Sequence, residues 1–126
     1  MTRLVLDAGA FVAFEKGDRR VSTLIAAARL LRVELVTSSP VVGQVWRDGR
    51  RQALLGRLIS ATRIDAATEF AARRAGELLA KTRTHDVVDA LVANCARDGD
   101  TVLTSDPDDL EALLEAAGVD ATVEMV

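Results

Sequence analysis

Short apolar runs of strand length alternate along this chain with longer segments of helical periodicity. The runs are Arg3–Leu6, Glu34–Thr37, Thr62–Ile64, Thr101–Thr104 and Ala121–Glu124. Between them, apolar residues recur at the spacing of an amphipathic helix. This alternation predicts a mostly parallel sheet, because parallel strands need crossover connections that pack on the sheet faces. We therefore expect an α/β fold with three layers, α/β/α.

The helical segments are bounded by capping and turn residues. We expect helices over Ala8–Lys16, from Asp18 to about Leu31, from Val41 to about Ser60 with a bend near Asp48 and Gly49, over Ala66–Lys81, from Asp86 to Arg97, and from Asp106-Pro107 to just before Gly118. With 126 residues and no repeat or linker, the chain has room for a single domain, residues 1–126.

Composition narrows the cellular setting. The one cysteine, Cys95, allows no internal disulfide and fits a reducing compartment. The N-terminal apolar run is too short for a signal peptide, and no stretch has the length of a membrane span. We therefore expect a cytoplasmic protein with no membrane partner.

Charge is unevenly distributed along the sequence. The formal net charge of −3 argues weakly against binding to nucleic acid. Eleven of the 19 acidic residues lie at or after Asp86, whereas Arg47, Arg50, Arg51 and Arg57 cluster in the middle. These arginines fit either a solvated helix face or a basic patch that contacts RNA beside an acidic site.

Three acids occupy positions where α/β proteins gather functional groups. Asp7 ends the first strand, Asp106 follows the fourth strand, and Asp89 lies one turn into a helix among apolar neighbours. In open α/β sheets, ligands bind beyond the carboxyl ends of the strands. Carboxylates beside an apolar face are costly unless something neutralises them, and their hard oxygen atoms favour Mg²⁺ or Mn²⁺.

Helix capping offers a structural alternative for most of these acids. Asp106 precedes a proline at a helix start, Asp7 can cap the next helix, and Asp86 can cap its own. Asp89 lies past the cap position, so capping does not explain it. The functional interpretation depends on the joint placement of Asp7, Asp89 and Asp106.

Other polar or reactive residues favour structural roles. Cys95 lies on an apolar helix face, and His85, the one histidine, fits an exposed helix start better than a general base. Trp46 fits packing or a dimer interface better than RNA stacking. Ser105 suits a tight turn or a contact to a metal-bound water or phosphate. A phosphotransferase that uses Asp7 as nucleophile would need an acid where Gly9 stands.

Four segments resemble a known family when they are taken together. They are LVLDAGAFVAFEKGD, SSPVVGQVWRDGRRQ, HDVVDALVANCARDGD and VLTSDPDDLEALL, and they span essentially the whole chain. In order and spacing they resemble PIN-domain proteins, and in particular VapC-type toxins of toxin–antitoxin operons.

The resemblance implies a Mg²⁺- or Mn²⁺-dependent endoribonuclease with a PIN-like fold. It implies an RNA substrate, a small antitoxin protein that silences the toxin, and a homodimer. On this basis Asp7, Asp89 and Asp106 are the metal-binding acids, and Asp86 and Asp109 are accessory acids.

The resemblance has one departure. Members usually carry a glutamate just before the VWR motif, where this chain has Gln44. An amide oxygen can ligate a hard cation but supplies no formal charge, so metal affinity should fall. Gln44 therefore belongs with the catalytic candidates, and it leaves open a second interpretation: a catalytically weakened module that binds RNA or a protein.

Overall fold

One five-stranded sheet organises the chain. In a computed structural model, which describes residues 2–126, the strands are β1 (Arg3–Leu6), β2 (Glu34–Ser38), β3 (Thr62–Asp65), β4 (Thr101–Thr104) and β5 (Thr122–Met125). Their order is β3-β2-β1-β4-β5, and every neighbouring pair is parallel. The predicted α/β class is confirmed, and the sheet is parallel throughout.

Helices connect the strands and cover both faces of the sheet. They are α1 (Ala8–Glu15), α2 (Arg19–Leu30), α3 (Ser39–Val45), α4 (Ala53–Ser60), α5 (Glu69–Thr82), α6 (Val87–Cys95) and α7 (Pro107–Ala117). Helix α1 contacts α2, α3 and α4, whereas α6 contacts α5 and α7. Right-handed crossovers place these two groups on opposite faces and produce the three layers. No helix within residues 2–126 combines the length and apolar character needed to cross a membrane.

The core lies where the central strands meet both helical layers. Leu4, Val5 and Leu6 of β1 are fully buried, as are Phe11 of α1 and Leu110 of α7. Strands covered on both faces require continuous apolar runs, which is why β1 and β4 show no polar alternation. The length of the buried run therefore sets where each of these strands ends.

The single helix predicted from Val41 to about Ser60 is wrong, although the bend predicted near Asp48 and Gly49 falls where the structure breaks it. The structure has two helices, α3 and α4, separated by non-helical residues 46–52. The side chain of Gln52 explains the break, because its Oε1 accepts hydrogen bonds from the backbone N–H groups of Arg47 (2.7 Å) and Asp48 (3.0 Å). These bonds satisfy the donors in a turn, so a continuing helix is not needed.

Several element boundaries also differ by a few residues from the predicted ones. Helix α5 begins at Glu69 rather than Ala66, because the Thr68 hydroxyl caps it by accepting from the Ala71 N–H. Helix α6 ends at Cys95 rather than Arg97, and β5 runs one residue later than expected. These shifts leave the order of elements unchanged.

Candidate metal centre

The strand order creates a crevice at the carboxyl edge of the sheet. The chain moves from β1 outward to β2 and β3, and then returns to place β4 on the other side of β1. Such a reversal opens a crevice between the loops that follow the two adjacent strands. Asp7 follows β1 directly, and Asp106 lies two residues after β4. Both predicted acids therefore stand at the switch point.

A third acid reaches the same crevice from a helix. Asp89 lies in the first turn of α6, which packs on β1 and β2. One carboxylate oxygen from each of Asp7, Asp89 and Asp106 lies within 4.8 Å of the other two. Asp7 is 3% exposed and Asp89 is 5% exposed, whereas Asp106 is exposed. The cluster is thus closed on the protein side and open on the solvent side.

Asp7 is buried but partly satisfied by hydrogen bonds. Burial raises the pKa of its carboxyl, and the negative charge of Asp106 adds to the rise. Two donors oppose it: the Thr104 hydroxyl donates to Oδ2 at 2.7 Å, and the Ala8 N–H donates to Oδ1 at 2.8 Å. The pKa still lies above its ordinary value. Asp7 therefore caps α1 and faces the cluster at the same time.

Asp89 is the most perturbed acid of the cluster. Its pKa is raised to about 7, first by burial and then by the negative charges of Asp7, Asp86 and Asp106. Desolvation and like-charge repulsion both disfavour the ionised carboxylate. A bound cation would reverse both effects, so this site favours a positively charged ligand.

The structure distinguishes Asp86 from Asp106, two of the three acids for which capping was an alternative. Asp86 is a true cap of α6, because its Oδ1 accepts from the N–H groups of Val88 (2.9 Å) and Asp89 (3.0 Å). Asp106 occupies the cap position of α7, but its side chain makes no capping hydrogen bond. The Asp106 carboxylate is therefore free to serve the cluster.

Thr104 is a site residue that the sequence did not reveal. Its fully buried hydroxyl donates to Asp7 and accepts from the Asp106 N–H at 2.9 Å. One side chain thus holds two of the three acids in position. A polar residue at the end of a buried strand, two places before an acid, was the available signal.

The donor set fits a hard divalent cation. Within residues 2–126, this trio is the group of His, Cys, Asp or Glu side chains that lie close enough together to share a metal ion, and all three offer carboxylate oxygen. Oxygen ligands of this kind select Mg²⁺ or Mn²⁺ over softer metals. Three anionic groups also supply more charge than one divalent ion neutralises.

Comparison with known proteins yields no assignment. No protein-family model matches the chain, and no curated protein matches it. Function therefore has to be inferred from the site itself.

The remaining site candidates lie outside the trio of clustered acids. Asp109 is exposed in the first turn of α7, and its negative charge helps to raise the pKa of Asp89. Gln44 is exposed on α3, and Ser105 is exposed in the turn after β4. A Cβ atom on Gly9 would lie 2.7 Å from the Ser105 Oγ, so this close approach of α1 requires glycine. The same contact explains why no second acid stands at that position.

Three of the four arginines expected to form a basic patch, Arg47, Arg50 and Arg51, lie on the exposed segment between α3 and α4, and the fourth, Arg57, is exposed on α4. The Arg47 guanidinium donates to two backbone carbonyl oxygens of its own segment, at 2.7 and 3.0 Å. Arg51 forms an exposed ion pair with Asp48 at 3.9 Å, and Arg50 is exposed. Arg47 therefore serves the local fold, while Arg50 and Arg51 remain accessible.

His85 and Cys95 lie where their structural interpretations placed them. His85 is exposed just before α6. Cys95 is buried, its thiol donates to the Leu91 carbonyl oxygen, and burial raises its pKa to about 12. A thiol so rarely ionised is a poor nucleophile.

Proposed function

We propose that this chain is a metal-dependent endoribonuclease in which Asp7, Asp89 and Asp106 hold Mg²⁺ or Mn²⁺. The observation that carries the proposal is the forced approach of three carboxylates, two of them buried, at the switch point of a parallel sheet. Structural acids are normally paired, whereas burial and its acidic neighbours together raise the pKa of Asp89 to about 7.

Each residue of the cluster has a distinct task in this proposal. A bound divalent cation supplies an activated water and stabilises negative charge on the phosphoryl group. Asp7 is oriented for ligation by the Thr104 hydroxyl, and Asp89 offers an oxygen from the buried side. Asp106 stands at the solvent side, where a substrate phosphate would arrive.

Phosphodiester hydrolysis suits the absence of a histidine base in the cluster. His85 is exposed outside the trio, so proton removal from water would depend on the cation rather than on an imidazole. The resemblance of four segments to PIN-domain toxins further supports RNA as the substrate. On the same resemblance we propose a cytoplasmic homodimer that is silenced by a small antitoxin protein.

The direct test is cleavage of structured RNA with Mg²⁺ or Mn²⁺. We expect Asp7→Asn and Asp89→Asn each to lower the rate by at least about 100-fold, since each removes a charged ligand. Glu77→Gln, an exposed acid on α5, is the matched control and should retain full activity. Cleavage that persists in both cluster variants would refute the proposed centre.

A second candidate function is a binding module with weakened catalysis, and Gln44 favours it. The amide lacks the charge that the resembling family carries at this position. If wild type neither binds Mn²⁺ nor cleaves RNA, and Gln44→Glu restores both, the binding module is the correct assignment. If wild type cleaves and Gln44→Glu changes the rate only modestly, the nuclease stands.

A further inference from the structure

A cavity of about 830 Å³ lies in the helical layer formed by α1–α4. Its lining includes Arg29 at the end of α2, Val42 of α3, Trp46 after α3, and Gly56, Arg57 and Ile59 of α4. Cavities of a few hundred to a thousand Å³ accommodate small organic ligands. The residues of the acidic cluster are absent from this lining, so the cavity is a separate feature.

Trp46 presents an aromatic surface to this cavity. Its side chain is partly solvent-accessible, with the residue 38% exposed. A Cβ on Gly49 would lie 3.2 Å from the indole Cζ2, and one on Gly56 would lie 3.4 Å from Cη2. The ring therefore rests against two glycines, and bulkier residues there would displace it.

The charge on the lining has a single sign. Arg29 and Arg57 are its charged residues, and no acid lines the cavity. Neither arginine forms a salt bridge within residues 2–126, although the whole chain has a net charge of −3. Two exposed guanidinium groups beside an indole ring fit a ligand that is both aromatic and anionic.

We propose that this cavity binds a segment of single-stranded RNA, with one base stacked on Trp46 and phosphates held by Arg29 and Arg57. The proposal rests on the proposed function, because it takes RNA as the ligand. Base stacking on aromatic side chains combined with backbone contacts to arginine is the usual way that proteins bind single strands. An acidic peptide without aromatic residues would satisfy the arginines, but it would give the partly exposed Trp46 no ring to stack with.

The arginines that line the cavity include only one member of the basic patch expected from the sequence. Of the arginines in that patch, Arg57 lines the cavity together with the distant Arg29, whereas the Arg47 guanidinium donates hydrogen bonds to the local backbone. RNA held here would be anchored away from the acidic cluster. The cavity would thereby contribute to substrate affinity without touching the scissile bond.

The test uses Trp46, the one tryptophan of the chain, as a fluorescent reporter. Wild type is titrated with short single-stranded oligouridylate and oligoadenylate in EDTA, so that no cleavage occurs. We expect saturable quenching, weakened about tenfold in Arg57→Ala and about threefold to tenfold in Arg29→Ala. Arg74→Ala, an exposed arginine on α5 in the opposite layer, is the matched control and should bind as wild type does.

A labelled oligonucleotide provides the test for Trp46 itself. Fluorescence anisotropy should show binding at least about fivefold weaker in Trp46→Ala and largely retained in Trp46→Phe. Circular dichroism confirms that each variant is folded. If Trp46→Ala fails to fold, Trp46→Phe and the arginine variants still decide the question.

Other occupants give different results, and each would overturn the proposal. Quenching by an acidic peptide but not by oligonucleotides would indicate a protein partner. Emission that changes with protein concentration alone would indicate a second copy of the chain. Unchanged emission, or binding weakened equally in Arg74→Ala, would show that the cavity does not bind RNA. Because EDTA excludes cleavage, failure here leaves the nuclease proposal intact, and loss of cleavage leaves this binding measurable.

Discussion

Buried charged residues are paired with opposite charges at one edge of the sheet and clustered with like charges at the other. At the amino edge, Arg3 is 6% exposed and Asp100 is 1% exposed, and the Arg3 Nη2 lies 2.7 Å from an Asp100 oxygen. Asp100 also accepts from the Arg97 N–H at 2.8 Å. At the carboxyl edge, Asp7 and Asp89 are buried to a similar degree, but the groups clustered with them are each other and the like-charged Asp106.

The pKa directions express this difference. Burial tends to lower the pKa of Arg3, but the hydrogen bond and charge of Asp100 outweigh it and raise the value. At Asp89, burial and the neighbouring charges act together against ionisation. The first pair of charges is neutralised within the chain, whereas we propose that a divalent cation neutralises the second group. The amino edge would then serve stability, and the carboxyl edge would serve binding.

Breaking the paired edge should have the largest effect. Arg3→Met leaves Asp100 buried without its partner, which should lower the free energy of unfolding by about 3–5 kcal/mol. Urea denaturation measures the loss. Arg20→Met removes an exposed ion pair with Glu124 and should cost less than about 1 kcal/mol. Equal losses in the two variants would show that the amino edge is not specially stabilising.

Removing the hydrogen bond to Asp7, the partly paired acid, should lower the free energy of unfolding by an intermediate amount. Thr104→Val removes the hydroxyl that donates to Asp7 and leaves the Asp106 N–H without its acceptor, a loss of about 2 kcal/mol. The pKa of Asp7 should rise further, so Mn²⁺ affinity measured by calorimetry should fall. Thr104→Ser keeps the hydroxyl and should retain most of that affinity. Unchanged Mn²⁺ affinity in the valine variant would show that Thr104 does not position Asp7 for metal binding.

Removing the unpaired acid should have the smallest effect on stability and the opposite sign. The pKa of Asp89, about 7 in the fold, lies above its ordinary 3.8, so folding favours the protonated form. Without metal, wild type should therefore lose stability as pH rises from about 4 to about 7. Asp89→Asn should be about 1 kcal/mol more stable than wild type at about pH 8, a difference that shrinks toward pH 4.

Thermal denaturation with and without Mn²⁺ checks this prediction. Wild type should be stabilised by the ion at pH 8, and Asp89→Asn should respond little. Asp120→Asn, an exposed acid outside the cluster, serves as the control and should behave as wild type. A destabilised Asp89→Asn at pH 8 in EDTA would mean that the carboxylate is satisfied within the chain.

The fold was largely predictable because its signals are local. Buried runs such as Arg3–Leu6 and Thr101–Thr104 are too short for a buried helix and lie between helical segments, so they favour central parallel strands. The break between α3 and α4 was not predictable, because it depends on where the Gln52 side chain turns. Periodicity cannot distinguish such a turn from a bend when the residues on either side are good helix formers.

The site was predictable in its acids but not in its supports. Asp89 was predicted because helix capping does not explain an acid on an apolar helix face. Asp7 and Asp106 were predicted because they lie next to the ends of strands. Thr104 was not predicted because threonine is common in strands, and because its hydrogen bond to Asp7 joins residues that lie 97 positions apart. The Trp46 cavity depends in the same way on Arg29, which the sequence places far from Arg57.

The pairing of β1 with β4 has a consequence for the timing of synthesis. Strand β1 leaves the ribosome first and can pair early with β2, but β4 and Asp106 lie in the last quarter of the chain. Asp7 therefore has no Asp106 beside it until four of the five strands have been synthesised and β4 has paired with β1. On the proposed function, the capacity to bind metal would be among the last properties that folding confers.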